Sequence, residues 1–392
     1  MRVLFSLASV AALGSLSIDL YISAFPRIGQ ELGASETWVQ ATLTGTLIGF
    51  AVGQLVLGPV TDRFGRRRPL LIANAVLMLT ALVCAAAPDV TVLVAARVVQ
   101  GVACAAGVVV ATATVRDLYQ GAAFIKAIGH VLAVTAAVPV LAPTVGGLLL
   151  SVMSWRGLFV VIGALTVAAS AAYVLWVPEG PIVRRRTVGR SRVIAGYRYV
   201  LRDRRYVGLT LVTIFVWGGA AWTYITTSPF VFQSVWGLTE AEYGLAFGIN
   251  ALCGWVGVQL GSRIRAQVSG GRVVGLALAA VVVVTTLLWV SAMTGALGLL
   301  GVMIPIALLY LAAGVMTPHI THLSLERLGD AAGAATALPG AATLVMAAVV
   351  APVAGMFGST GVVAMASVML VAVLAGALVF HLRVRPHLGS TG

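Results

Sequence analysis

The chain has 392 residues, of which 60% are hydrophobic and only 9% are charged, and its formal net charge is +13. Soluble domains carry about 25% charged residues, so this composition excludes an ordinary soluble protein. A membrane core about 30 Å thick takes roughly 20 apolar residues per helical crossing, so the chain has room for about twelve crossings and no large soluble domain. We therefore predict an all-α integral membrane protein of twelve transmembrane helices.

The apolar runs, in chain order, fall into two groups of six. The first group is predicted at 3–25, 38–61, 69–87, 90–115, 125–150 and 157–177. The second group is predicted at 206–232, 242–263, 273–293, 296–320, 332–356 and 361–382. This predicts an N-terminal six-helix bundle (1–177), a basic cytoplasmic linker (178–205) and a C-terminal six-helix bundle (206–392). Two halves of similar length are typical of transporters built from repeats.

The positions of the basic residues predict the orientation. With the N-terminus inside, only Arg27 and Arg156 among the 25 lysines and arginines lie in outer loops, and Arg97 lies within a span. Cytoplasmic loops carry an excess of Lys and Arg, so both termini are predicted in the cytoplasm. The basic linker is interpreted as an anchor against anionic lipid headgroups rather than as a regulatory segment. Because the basic residues flank membrane spans, we expect membrane lipids and not nucleic acid as their partner.

Two ionisable residues lie well inside the predicted spans. Asp19 lies in the first span, and Arg97 lies about two turns from the outer end of the fourth. Charged side chains inside a bilayer are costly, so such residues are candidates for function. Burial disfavours the ionised form of a carboxyl group and a nearby cation favours it, which makes Asp19 the best candidate proton carrier. The alternative is a structural carboxylate permanently paired with Arg97.

The segment between the second and third predicted spans has a carboxylate among arginines. It reads Gly58-Pro-Val-Thr-Asp62-Arg63-Phe-Gly65-Arg66-Arg67-Arg68-Pro69. We predict a tight, glycine-bearing cytoplasmic turn. An orientation signal would explain the arginines but neither Asp62 nor Gly65. An aspartate facing a helix N-terminus is stabilised by about 0.3–1 kcal/mol, and such a contact can form in one conformation and break in another.

The fifth predicted span contains Pro139, Pro143, Gly146 and Gly147. Prolines kink membrane helices and small residues allow close backbone contact. We expect a bend here. It either shapes a central cavity and blocks leak or serves packing alone, and the composition is compatible with both.

Aromatic and small polar residues on the seventh predicted span suit a pocket for a flat, amphipathic ligand. They are Trp217, Trp222, Tyr224, Thr226, Thr227, Ser228 and Phe230. Mostly apolar walls with a few polar groups are typical of such pockets, although Trp and Tyr also populate membrane interfaces. We add Tyr21, Gln100 and Asn250 as candidate cavity residues.

The sequence shows no nucleotide-binding loop, no metal-ligand constellation and no nucleophilic triad. We therefore predict no enzyme activity, no catalytic residues, no metal and no cofactor. An ion gradient is then the expected source of energy, and one elementary charge moving through 100 mV supplies about 2.3 kcal/mol.

Several segments resemble motifs of the major facilitator superfamily. Residues 58–71 resemble its loop signature G-x-x-x-D-R-x-G-R-[RK]-x, residues 97–101 its R-x-x-Q-G motif, and residues 139–147 its antiporter motif. Four further segments resemble the Bcr/CflA-like drug-efflux subgroup. They are Asp19-Leu-Tyr21 with Pro26, Arg116-Asp117, Trp155-Arg156-Gly-Leu-Phe159 and Ser228-Pro229-Phe230-Val231.

The resemblance implies a two-bundle fold and drug:proton antiport by alternating access, and we expect a monomer in the bacterial inner membrane. By motif position, Asp19 and Arg97 take the proton-coupling role. A cytoplasmic gate is assigned to Gly58, Asp62, Arg63, Gly65, Arg66 and Asp117. Asp62 is expected to face the start of helix eleven near Ala331. Subgroup substrates include bicyclomycin, phenicols such as chloramphenicol and florfenicol, and sulfonamides.

Two functions on this scaffold remain open. The first is a proton-coupled exporter of small amphipathic antibiotics. The second is an exporter of an endogenous metabolite, such as a sugar or an amino-acid derivative. One buried carboxylate in an aromatic, weakly polar cavity favours neutral or cationic lipophilic substrates, because sugars need several amide or carboxylate partners.

Overall fold

The computed structural model describes residues 1–178, 197–264, 268–326, 332–356 and 361–387, and within them it is helical, with no strand. In this part of the chain, eleven helical runs are long and apolar enough to cross a membrane, and a further apolar helix covers Leu338–Val350. The predicted all-α membrane fold of twelve helices is confirmed, with eleven to twelve apolar helices among the described residues. The side of the membrane on which the termini lie stays a prediction.

The chain divides into two compact units, the first formed by 1–187 and 238–247 and the second by 188–237 and 248–392. The predicted bundles stay a prediction, and most of the predicted linker, 179–196, lies outside the described residues. The first unit contains α1 (Arg2–Asp19), α2 (Phe25–Glu31), α3 (Glu36–Phe64), α4 (Arg67–Ala85), α5 (Val90–Leu118), α6 (Gly121–Leu150) and α7 (Trp155–Trp176). The later helices are α8 (Arg204–Thr213), α9 (Trp222–Phe230), α10 (Glu240–Arg263), α11 (Gly270–Thr294), α12 (Leu300–Leu325), α13 (Ala332–Met356) and α14 (Val362–Val379).

The first membrane span is broken, where the sequence predicted one continuous helix over 3–25. Helix α1 ends at Asp19, a single 3₁₀ turn follows at Ile22–Ala24, and α2 begins at Phe25. Pro26 lies in the first turn of α2. Proline has no backbone N–H and is tolerated in a first turn, where that donor has no helical partner in any case. The helix therefore restarts at Phe25, with Pro26 next to it, and Asp19 lies at the break.

The seventh predicted span is interrupted as well. It runs as α8, a π-helical segment at Ile214–Ala221, α9 and a second π-helical segment at Val231–Val235. A π-helical segment occurs where other packing outweighs the regular hydrogen-bond ladder, and such segments are frequent at functional sites. Trp217 lies inside the first of them.

Helix α5 is held closely by two neighbours in the first unit. A Cβ atom at Gly101 would overlap the carbonyl oxygen of Thr46 on α3. One at Gly107 would overlap the carbonyl oxygen of Val10 on α1. Small residues let membrane helices approach until their backbones touch. The backbone that carries Arg97 is thus fixed against α1 and α3.

Candidate functional site

Arg97 is fully buried on α5, with a side-chain exposure of 0%. Its Nη1 donates to the backbone carbonyl of Ser17 at 3.0 Å and to the side-chain oxygen of Gln100. Its guanidinium carbon lies 4.2 Å from the centre of the Tyr21 ring and 5.7 Å from that of Phe159. A cation over an aromatic face is stabilised by the ring quadrupole, more strongly when water is excluded. Arg97 is thus held by neutral acceptors and aromatic faces.

Asp19 is buried beside this arginine, with 8% of its surface exposed. Arg97 is the charged group that acts on its carboxyl through space. Within the described residues, no Asp19 oxygen lies within 4.0 Å of an Arg97 nitrogen, and the carboxyl makes no hydrogen bond. The permanent ion pair considered from the sequence is therefore absent from this arrangement. The Arg97 guanidinium instead contacts the backbone of α1 at Ser17, two residues before Asp19.

Several donors around Arg97 have no partner among the described residues. These are the Nε and Nη2 atoms of Arg97 and the side-chain nitrogen of Gln100. A buried donor without an acceptor costs about 1–3 kcal/mol, and more when the group is charged. An anionic or hydrogen-bonding group that reached these donors would remove this cost.

Tyr21, one of the predicted cavity residues, belongs to this cluster. It is fully buried, and its hydroxyl shares a 2.9 Å hydrogen bond with Thr42 on α3. Its ring also contacts Phe159 on α7, with the ring centres 5.5 Å apart. Sequence reasoning missed Thr42 and Phe159 as members of the site. The signal for Phe159 was available, because it lies in a subgroup motif, whereas Thr42 had none.

The proline- and glycine-rich segment of α6 contacts the broken part of the first span. The hydroxyl of Ser23 donates to the carbonyl of Pro143 at 2.9 Å. A Cβ atom at Gly146 would overlap the carbonyl oxygen of Leu20, and one at Gly147 would overlap that of Glu240. Helix α6 continues as an α-helix through Pro139 and Pro143. Whether α6 bends there stays a prediction, but its small residues hold the backbone that follows Asp19.

The predicted gate residues form an ion-pair cluster centred on Arg66. Its Nη1 lies 2.6 Å from a carboxylate oxygen of Asp62 and 3.1 Å from the hydroxyl of Thr61. Its Nε lies 3.2 Å from a carboxylate oxygen of Asp117 at the end of α5. The cluster ties α3, α4 and α5 together. The expected neighbour of Asp62, Ala331, lies outside the described residues.

The structure corrects the predicted loop at 58–69. Helix α3 continues through Gly58, Asp62 and Arg63 to Phe64, so the turn consists of Gly65 and Arg66 alone. Gly65 has a φ of 84°, a conformation that favours glycine. No atom lies within 4 Å of the position that a Cβ atom would take at Gly58. Arg63 is exposed, and its guanidinium lies over the Phe64 ring. The backbone carbonyl of Gly58 accepts from Thr61 at 2.9 Å, so Gly58 is linked to the Arg66 cluster through its backbone, whereas the Arg63 guanidinium faces Phe64 instead.

In the second unit, three predicted cavity residues lie in one aromatic cluster. The rings of Trp217 and Tyr224 each meet that of Tyr310 edge-on, at 5.8 and 5.6 Å between centres. The side-chain nitrogen of Asn250 donates to the Tyr224 hydroxyl at 2.8 Å. The indole N–H of Trp217 donates to Thr317 at 3.2 Å. Sequence reasoning missed Tyr310 and Thr317, because a tyrosine and a threonine in an apolar span carry no local signal.

Two further predicted cavity residues, Trp222 and Gln100, lie outside this aromatic cluster. Trp222 is half-buried at the start of α9. Gln100 lies in the first unit, where its side chain accepts from Arg97. The candidate cavity residues other than Trp222 therefore divide between the Arg97 cluster of the first unit and the aromatic cluster of the second.

The chain matches the family model described as Major Facilitator Superfamily over residues 7–352. It is similar to an uncharacterized MFS-type transporter, YdgK, of Bacillus subtilis, with 34% identity over 96% of this chain and 94% of the relative. It is 26% identical to multidrug resistance protein D of Escherichia coli, over 92% and 90%. It is 28% identical to a bicyclomycin resistance protein homolog of Haemophilus influenzae, over 88% and 86%.

Among solved structures, it is similar to a bacterial homolog of the human lysosomal transporter Spinster. The TM-score is 0.75, with 16% identity over 98% of this chain and 96% of that one. At this identity the likeness shows the fold alone. Together the matches confirm the resemblance inferred from the motifs, the helical membrane fold and the prediction that the protein is not an enzyme.

Proposed function

Because the chain belongs to the Major Facilitator Superfamily, whose members are multi-pass membrane transporters, we propose that it is a proton-coupled exporter of small amphipathic antibiotics. It would work by alternating access in a bacterial inner membrane, without a cofactor. Relatives named for multidrug and bicyclomycin resistance support drug efflux as the class of transport. Chloramphenicol-type drugs are the substrates to test first.

The observation that carries the proposal is a buried acid beside a buried, independently held base. Arg97 is anchored by Ser17, Gln100 and Tyr21, so it keeps its position whether or not Asp19 is ionised. An unpaired charge in a medium of low dielectric constant costs several kcal/mol, so the state of Asp19 changes the energy of the whole cluster. Protonation of this carboxyl is then an effective switch.

The coupling follows from this arrangement. With a proton on Asp19, the unpaired nitrogens of Arg97 and the amide of Gln100 are open to a polar group of the drug. When the proton leaves, the carboxylate is attracted to Arg97 and competes for the same donors. Proton and drug therefore oppose each other at one cluster, which is the requirement for antiport.

The aromatic cluster of the second unit, taken by itself, suits a flat, amphipathic ligand of this class. Trp217 is half-buried and offers an indole face beside Tyr310 and Tyr224. Aromatic walls with few polar groups favour flat amphipathic ligands over sugars.

The decisive experiment measures drug resistance and proton-driven transport in parallel. The protein is expressed in a host that lacks its main efflux pumps, and susceptibility to chloramphenicol, florfenicol and bicyclomycin is compared with that of the Asp19→Asn variant. We expect resistance to at least one drug, and its loss in the variant. Everted vesicles that contain the parent protein should release protons when the drug is added, and vesicles that contain the Asp19→Asn variant should not.

The matched control is Asp89→Asn. Asp89 caps α5 by accepting from Thr91 and Val92, and asparagine caps helices equally well. This variant should transport normally. Gradient-driven transport that persists in Asp19→Asn would refute the proton-carrier role, and a host made resistant to none of the drugs would favour an endogenous metabolite as substrate.

A further inference from the structure

The second unit has a large, basic cavity that the transport cycle above does not use. Its volume is about 1280 Å³, and it lies where α8, α10, α11 and α12 meet at one end of the unit. This is the end predicted to face the cytoplasm. From the residues that line it, we infer that it binds the headgroup of an anionic glycerophospholipid from the surrounding membrane.

The charge of the lining favours an anion. Arg205, Arg272 and Arg385 line the cavity together with the histidines at 319, 322 and 381, whereas Glu326 is the only acidic residue among its described lining. Glu326 already pairs with Arg205 at 3.1 Å. Arg272, Arg385 and His322 are therefore left for a bound anion, whereas His319 and His381 each contact a backbone carbonyl through one ring nitrogen. Basic pockets between membrane helices are typical sites for acidic headgroups.

A buried donor points to the same ligand. The Arg205 side chain is only 8% exposed, and its Nε has no partner among the described residues. Burying such a donor without an acceptor is costly. A phosphate oxygen of a bound headgroup would supply the missing acceptor.

The start of α11 adds backbone donors. Gly270 and Gly271 line the cavity in the first turn of this 25-residue helix. The first N–H groups of a helix have no partner within the helix, and they favour a negatively charged oxygen. The hydroxyl of Ser269 caps only the N–H of Arg272.

The apolar surface next to the cavity favours a lipid over free phosphate as the ligand. Leu276 lines the cavity one turn beyond Arg272 and is 72% exposed. Val283 and Leu287, 57% and 55% exposed, continue the same face of α11 towards the membrane interior. Residues at these spacings share one side of a helix. The arginine at the start of α11 matches the anionic headgroup of a lipid, and the apolar stripe that follows it matches the acyl chain.

The test measures lipid retention by the purified full-length protein. Intact-protein mass spectrometry compares phosphatidylglycerol with phosphatidylethanolamine, for the parent protein and for the double variant R272Q/R385Q. A basic residue near an anionic lipid contributes a factor of about five, so we expect the double variant to lose phosphatidylglycerol binding about 25-fold. Binding of phosphatidylethanolamine should be weak in both proteins.

The matched control is R263Q/R383Q. It removes the same charge at the same end of the unit, but both arginines are exposed and neither lines the cavity. Equal loss in the two double variants, or equal binding of the two lipids by the parent, would overturn the inference. Displacement of phosphatidylglycerol by millimolar inorganic phosphate would show a free-phosphate site instead. If R272Q/R385Q is not recovered as monodisperse protein, R385Q alone should lose binding about fivefold.

Discussion

The two units of this chain bury different chemistry. The first unit buries a carboxyl and a guanidinium side by side, Asp19 and Arg97, within its membrane-spanning part. The polar groups buried in the second unit's spans are mainly hydroxyls and one amide, Asn250, beside aromatic rings. Among the described residues of this unit, the buried charged group is Arg205, which lies at the start of α8 and pairs with Glu326. An acid–base pair responds to protons, whereas rings and hydroxyls respond to the shape of a neutral ligand.

The two units also differ in the backbone next to these buried groups. In the first unit, the segment after Asp19 is fixed by Gly146 and by the hydrogen bond from Ser23 to Pro143. In the second, the chain beside Trp217 is π-helical over Ile214–Ala221. A backbone held by close contacts keeps two charges in position, whereas a π-helical segment departs from the regular hydrogen-bond ladder, as segments at functional sites often do. Four substitutions test this contrast.

The largest effect is expected from Gly146→Val. Its side chain would overlap the carbonyl oxygen of Leu20, and overpacking costs about 1–3 kcal/mol even before the backbone has to move. We expect loss of transport and a lower unfolding temperature. The control is Gly129→Val on the same helix, where nothing lies within 4 Å of the new Cβ. Equal effects at the two positions would show that α6 does not position the broken span.

Arg97→Lys should reduce proton-coupled transport about 10- to 100-fold. An ammonium cannot reach Ser17 and Gln100 while also covering the ring of Tyr21, and a hydrogen bond to a charged group contributes about 1.5–3 kcal/mol. Transport in everted vesicles measures the change. Arg156→Lys, at a half-exposed arginine, should retain most activity. Unchanged transport in Arg97→Lys would show that only the charge matters.

Trp217→Ala should raise the drug concentration needed for half-maximal transport about 10-fold and leave the pH dependence unchanged. It removes the edge-on contact with Tyr310 and a large apolar surface, and a buried aromatic pair contributes about 0.5–1.5 kcal/mol beyond its area. The control is Trp255→Ala, since that ring is 49% exposed. A shift in the pH profile would contradict the division of roles between the units.

The smallest effect is expected from Arg66→Lys. Arg66 contacts both Asp62 and Asp117, and a lysine replaces this planar fork with a single point charge. Because all three groups are partly exposed, a loss of about two- to fivefold is expected. Arg116→Lys, at an exposed neighbour of Asp117, is the control. Loss as complete as in Asp19→Asn would show that the cluster is essential rather than supporting.

The sequence predicted the charged part of the site better than the aromatic part. Buried charge is rare in apolar spans, so Asp19 and Arg97 were identifiable one at a time, and Arg66 and Asp117 by their motifs. Tyr310, Thr317 and Thr42 were not, because a hydroxyl or a ring in a membrane helix is common and its meaning depends on its neighbours. The same holds for the basic cavity, whose arginines come from three separate helix ends.

The sequence by itself determined that the chain crosses the membrane about twelve times and which residues bury charge, because both depend on the cost of placing polar groups in hydrocarbon. The tertiary structure decided that the first span breaks at Asp19, and that Arg97 is anchored by Ser17 and Tyr21 rather than by the acid. Those outcomes depend on which backbones touch across helices far apart in the chain. Hydropathy and motif spacing do not encode such contacts.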